Sequence, residues 1–209
     1  MKSLNFPLYH ATSSIFEESI KLLGLGGFNP VEKFKAIEFL SVLEEIGNKE
    51  LADNESWNRF ELQYTISLMT HQRITDGGFN YQHGEVYLTP SLYTAHGYSK
   101  NKYGSEIISK IFETLDLFNF LEVKIDAKLL DDFEDLLAIK ELTAFPVIYE
   151  INNLPIEYLN MGESGEEIEN QINSVIEDIS KYGKVVFGQQ LNFRLKKAIS
   201  IDMLVKMNI

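Results

Sequence analysis

No cysteine occurs anywhere in the 209 residues, which excludes disulfides, thiolate metal ligands and a cysteine nucleophile. The absence agrees with a reducing cytoplasm, the expected location. Arginine is almost as scarce. Arg59, Arg73 and Arg194 are the only three, among 19 basic residues set against 31 acidic ones. The formal charge of −12 leaves no basic footprint for an extended nucleic-acid contact, although a local pocket for one nucleotide is compatible with it. No apolar run approaches the ~18 residues a membrane span needs, so no membrane partner is expected. The opening Met1-Lys2-Ser3-Leu4-Asn5-Phe6-Pro7 lacks an apolar core followed by a small-residue cleavage site, which predicts no signal peptide. His71, His83 and His96 do not have metal-ligand spacing, and no Glu-x-x-His or His-x-x-x-His pair exists, so no metal is expected. Gly-x-Ser-x-Gly elbows, Walker loops and Rossmann fingerprints are missing too.

What is present reads as one globular domain over 1–209, with 44% hydrophobic and 24% charged residues. Phe6 to Thr12 predicts a short buried strand, and about Ser14 to Leu23 an amphipathic helix stopped by Gly24, Gly26 and Gly27. From Pro30 to Thr75 the apolar spacing turns helical, through Val31, Phe34, Ile37, Leu40 and Leu43 and again from Phe60 to Met69. Val86-Tyr87-Leu88 reads as a strand, Pro90-Ser91 as the start of a helix running past Tyr98, and Glu106 to Phe118 as another helix. Phe120 to Ile125, Val147 to Ile151 and Lys184 to Ala198 predict strands. A polar loop at Gly162 to Gly165 leads into a helix through Ile179, and Ile201 to Met207 reads as a closing helical turn. The acidic runs Asp131 to Asp135 and Glu163 to Glu169 read as solvated faces. Strands and helices mix without regular βαβ alternation, so the class is α+β.

Three separated segments carry a further signal. The first is Leu8-Tyr9-His10-Ala11-Thr12, followed by a helix and Gly24-Leu25-Gly26-Gly27. The second is Gly84-Glu85-Val86-Tyr87-Leu88-Thr89, followed by Ala95 and by Tyr98, eleven positions after Tyr87. The third is Gln190-Leu191-Asn192-Phe193-Arg194-Leu195, with Ile199 nine positions after Gln190. Together they resemble the histidine–tyrosine branch of the ADP-ribosyltransferases, that of the poly(ADP-ribose) polymerases and diphtheria toxin. The resemblance frames nearly the whole chain, apart from Pro30 to Thr75 and Asn101 to Lys184.

The resemblance implies an ADP-ribosyltransferase fold, a split pair of antiparallel sheets around an NAD⁺ cleft, with a helical insertion near 30–75. It implies transfer of ADP-ribose from NAD⁺, the co-substrate, to a macromolecular acceptor, protein or nucleic acid, with loss of nicotinamide. Tyr87 and Tyr98 would sandwich the nicotinamide ring, since aromatic faces stack and attract a cation. The backbone N–H and C=O of Ala11 would pair with the carboxamide. His10 would hydrogen-bond a ribose hydroxyl of the adenosine side, and Thr12 would add a contact. The setting expected from family habit is an intracellular toxin of a toxin–antitoxin or anti-phage system, with an antitoxin as partner.

The third segment departs from the family pattern. The catalytic position, where the family keeps a glutamate, is Gln190, with Gln189 the neighbouring candidate. Glutamine keeps the size but loses the charge that stabilises an oxocarbenium-like transition state, a loss on the order of 10²–10³ in rate. Three accounts stay open: a natural variant that transfers slowly or singly, an inactivated form of a toxic enzyme, or an acidic residue elsewhere, such as Glu150 or Glu163, in that role. From Gln190 follows the alternative of a non-catalytic NAD⁺- or ADP-ribose-binding module, or an interaction module, of the same fold. The related RNA 2′-phosphotransferases need several arginines and fit poorly, as do the arginine–serine–glutamate toxins, which carry Arg where this chain has His10.

Overall fold

The computed structural model describes residues 2–76, 80–162, 165–186 and 191–207. In chain order the strands are β1 (Leu8–Ser13), β2 (Tyr87–Leu88), β3 (Pro146–Ile151), β4 (Leu159–Asn160), β5 (Phe193–Leu195) and β6 (Leu204–Lys206). The α-helices are α1 (Glu17–Leu23), α2 (Pro30–Lys33), α3 (Ala36–Glu50), α4 (Thr65–Thr70), α5 (Leu92–Tyr98), α6 (Glu106–Phe120), α7 (Ala127–Asp131), α8 (Glu134–Ile139) and α9 (Ile168–Tyr182). Helices and two small antiparallel sheets make this an α+β protein.

The chain divides into two compact units. The first comprises Met1–Phe28, Glu85–Gly104 and Ala144–Ile209, the second Asn29–Gly84 and Ser105–Thr143. The segment expected as a helical insertion, about 30–75, thus belongs to a unit that also takes in Ser105–Thr143.

The first unit holds both sheets, in the orders β1-β3-β6 and β2-β5-β4. Leu8, Leu88, Phe193 and Leu195 bury their side chains, and β3 is covered on both faces, with Val147, Ile148, Tyr149 and Ile151 all buried. Helix α1 ends where expected. Gly24 takes φ +80, donates to Ile20 O at 2.9 Å, and leaves only 2.6 Å between an added Cβ and the carbonyl of Ile199. The next residue, Leu25, exchanges both backbone bonds with Ile199, at 2.8 and 2.9 Å.

The second unit is helical. Helix α3 packs on α4 and α6 around Phe39, Leu40, Leu43, Ile66, Ile107, Ile108 and Ile111, all fully buried. Phe133, inside the acidic run expected to be solvated, stacks on Phe39 with centroids 4.2 Å apart. Trp57 is fully buried, donates from Nε1 to Asn48 at 3.2 Å, and lies so close to Gly47 that a Cβ there would overlap the indole.

Two local expectations are corrected. Phe120 to Ile125 does not form a strand: α6 runs to Phe120 and closes with Val123 N on Phe118 O at 2.9 Å, Glu122 turning to φ +55. The alternation there is that of a helix end leaving the core, with Phe120 80% exposed. Ile201 to Met207 is not a helical turn throughout. A single 3₁₀ turn over Ile201–Met203 gives way to β6, which pairs with β3.

Candidate functional site

His10, Ala11, Thr12, Tyr87 and Tyr98 all lie in the first unit. Gln189, Gln190 and Glu163 lie outside the described residues.

Strand β1 is the frame. It pairs antiparallel with β3, His10 opposite Tyr149 and Ala11 opposite Ile148. Its other edge meets the second sheet at a single bridge, where Tyr9 N donates to Thr89 O at 2.8 Å and Thr89 N to Tyr9 O at 2.9 Å. Main-chain polar groups alternate sides along an antiparallel strand. Since Tyr9 turns its N–H and C=O to the β2 side, Ala11 does too. The bond from Met207 N to Ile148 O, at 2.9 Å, agrees, because it turns Ile148 toward β6 and away from Ala11. The pairing of β1 with the second sheet ends at the bridge, so the N–H and C=O of half-buried Ala11 turn to the β2 side just beyond it.

His10 reaches β2 by its side chain. Its Nδ1 lies 3.0 Å from the carbonyl oxygen of Tyr87, 77 positions away in sequence. A carbonyl only accepts, so Nδ1 carries the proton and Nε2 presents a lone pair. Burial pushes the imidazole below its ordinary pKa, and the Tyr87 carbonyl only partly opposes this, so the ring is neutral at pH 7. A neutral His10 is therefore a hydrogen-bond acceptor at Nε2, suited to a hydroxyl.

The end of β1 is held firmly. Thr12 and Ser13 are buried, and Ser13 Oγ donates to Lys102 O at 2.7 Å. Gly104, at φ +63, brings the loop after α5 so close that an added Cβ would lie 2.7 Å from Ser13 N. Ser91 caps α5, accepting from Thr94 N at 3.2 Å, and the helix packs on β1, with Ala95 fully buried. Tyr98, at the end of that helix, is 39% exposed.

The third segment joins through β5, which pairs with β2 so that Arg194 stands opposite Tyr87. Just before β5, the carbonyl of Asn192 accepts from buried Gln171 of α9 and presses on Gly162, where a Cβ would overlap it. The stretch after the Gln190 position is thereby fixed.

Sequence reasoning did not single out Tyr149, Glu17 and Lys206. Tyr149 shares the sheet face of His10, and its hydroxyl is 3.5 Å from Glu17 Oε1, which lies 2.7 Å from Lys206 Nζ. Burial first, then Glu17, pushes the Tyr149 phenol up to about 12, so it stays protonated. Glu150 alternates to the other face, opposite Tyr9, and accepts from Asn152 at 3.0 Å. Its side chain therefore leaves β3 on the side away from that of His10.

Among the described residues no group of three or more His, Asp or Glu side chains is placed to hold a metal ion, and no helix is long and apolar enough to cross a membrane. No family model matches this sequence, and neither the curated proteins nor the solved structures contain a significant match to it.

Proposed function

We propose that this protein is an NAD⁺-dependent ADP-ribosyltransferase built on the ADP-ribosyltransferase fold, with its NAD⁺ site at the parting of the two sheets in the first unit. The observation that carries the reading is the bond from His10 Nδ1 to Tyr87 O, which joins the first and second motif segments directly. Two further observations support it. The second and third segments are paired strands, and the main chain of Ala11 turns to their side of β1.

The chemistry follows from these groups. NAD⁺ carries a cationic nicotinamide on an anomeric carbon, and loss of that leaving group passes through an oxocarbenium-like state. Catalysis is therefore mostly positioning and charge stabilisation. The Ala11 N–H and C=O would hold the carboxamide at its two complementary ends. Tyr87 and Tyr98 would supply aromatic faces to the ring, and the Nε2 of neutral His10 would accept from a ribose hydroxyl. Thr12 anchors the strand from inside. Gln190 would hydrogen-bond the nicotinamide ribose without adding charge, which points to slow, single transfer. A toxin paired with an antitoxin in the cytoplasm is the setting proposed for such an activity.

The uncharged Gln190 also favours a second reading, a module that binds NAD⁺ or ADP-ribose without turning it over. Calorimetric titration of NAD⁺ tests what the two readings share. Binding to the wild-type chain, weakened about tenfold or more by Tyr87→Ala and by His10→Ala, is expected. No heat of binding to the folded wild type would end both.

A further inference from the structure

Arg194 stands in the middle of β5 as part of a row that crosses the whole second sheet. Tyr87 of β2 and Asn160 of β4 are its two register partners, so the three side chains share one face. The other face is core: Leu88, Leu159, Phe193 and Leu195 are all buried. On the row's face Tyr87, Arg194 and Asn160 are half-buried. Glu85, two positions before Tyr87 and on the same face, stands 3.7 Å from Arg194 Nη1, beyond hydrogen-bond range, and the two side chains are 49% and 36% exposed. So loose a pairing leaves the planar fork of guanidinium donors able to take another anion. Asn160 has its carbonyl oxygen on Met161 N at 3.0 Å, which leaves the amide NH₂ as the group it can offer outward. Cation and amide together present donors, the complement of a group that only accepts.

We propose that Arg194 and Asn160 form the acceptor subsite and bind the terminal phosphate of a nucleic-acid strand; this rests on Tyr87 being the nicotinamide platform. Position selects the acceptor over NAD⁺ itself. Strands β5 and β4 lie beyond β2 from β1, whereas His10 and Ala11, which hold the dinucleotide, are on β1. Charge selects an end over an internal stretch. A chain of net charge −12 brings no excess of basic residues to neutralise a run of phosphodiesters, while one arginine suffices for one phosphate.

A terminal phosphate also suits a site with glutamine at the catalytic position. Its second pKa is near 6, so at pH 7 it is largely a dianion and needs no base to become a nucleophile. One of its oxygens supplies the electron pair of the new C–O bond at the anomeric carbon. The C–N bond breaks with its pair going to the ring nitrogen, nicotinamide leaves neutral, and no proton moves.

The test incubates the full chain, and its Gln190→Glu form, with NAD⁺ labelled in the adenylate. Three acceptors are offered: a 5′-phosphorylated oligoribonucleotide, the same oligonucleotide after phosphatase treatment, and the protein fraction of a cell extract. Nicotinamide release into water is followed alongside. Label on the phosphorylated strand only is expected. Arg194→Gln should lower that labelling about 10- to 100-fold, with Arg194→Lys intermediate. Equal labelling after phosphatase treatment, label on protein alone, or labelling unaffected by Arg194→Gln would each overturn the subsite while leaving the transferase reading intact. Absence of both NAD⁺ binding and nicotinamide release is the distinguishable result that removes that reading, and the subsite with it.

Discussion

Ala11 and Ile148 face each other across β1 and β3, yet their main-chain groups turn apart: Ile148 gives its carbonyl to Met207 N at 2.9 Å, and Ala11 turns to the β2 side. The N–H of Ala11 is thus outside the β1–β3 ladder. Proline, which lacks that N–H, is tolerated in a strand where no ladder bond is lost. Ala11→Pro is expected to keep the far-ultraviolet circular dichroism of the wild type and to weaken NAD⁺ binding about tenfold or more, whereas Ala11→Ser binds as the wild type does. Equal affinity for all three chains would show that the main chain at Ala11 does not hold the ligand.

The neutral state of His10 gives the binding a pH signature. Its pKa is depressed from 6.5, so Nε2 remains an acceptor throughout the neutral range. NAD⁺ affinity should be flat above pH 6.5 and fall only as the pH drops through the depressed pKa, when Nε2 gains a proton and can no longer accept. Titrations at several pH values check this. An affinity that rises on acidification would mean a protonated His10 is the binding form.

His83, in the second unit, is depressed to about 4 by burial of its ring, and its Nε2 has no hydrogen-bond partner among the described residues. The folded state therefore binds this proton less readily than the unfolded chain does. The stability that neutral His83 allows is fully present above pH 6.5 and is lost as the pH falls from 6.5 toward 4. Urea unfolding should show a loss of about 1–3 kcal/mol across that window, reduced in His83→Gln. The same slope in the variant would assign the pH dependence to other groups.

Gly47 and Trp57 make the second unit's packing testable by fluorescence, because Trp57 is the only tryptophan. A methyl at Gly47 overlaps the indole, so Gly47→Ala should destabilise by about 1–3 kcal/mol despite alanine's better helix propensity, and should shift the emission to longer wavelength. A stabilised variant with unshifted emission would contradict this packing.

Local signals carried well into the structure where local forces decide. The Gly24 stop, the opening of α5 at Pro90-Ser91, the helical apolar spacing through Leu40 and Leu43 of α3, the helix that becomes α6, and the apolar strand that becomes β3 were all legible in sequence. Where partners are distant, the sequence misled or was silent. Leu204–Lys206 becomes a strand because β3 offers it an edge, and two-residue β4 exists only through β5. Phe120 to Ile125 alternates like a strand, but α6 had already set its phase through Ile111, Phe112 and Phe118. The motif residues themselves were readable. That His10 would lie on the main chain of Tyr87, and that Arg194 would stand beside it, depends on register between strands far apart in the chain. The scarcity of arginine and the place of Arg194 four residues after Gln190 were the signals available for the latter.

The proposed activity is cleavage of NAD⁺ at a site whose catalytic position is Gln190. It is tested most directly by nicotinamide release from NAD⁺, measured for the wild type and for Gln190→Glu in cell extract, where an acceptor is present. A gain on the order of 10²–10³ in the glutamate form is predicted, from the charge it restores beside the developing cation. No release from either chain, with NAD⁺ bound by both, would contradict the account and leave a binding module in its place.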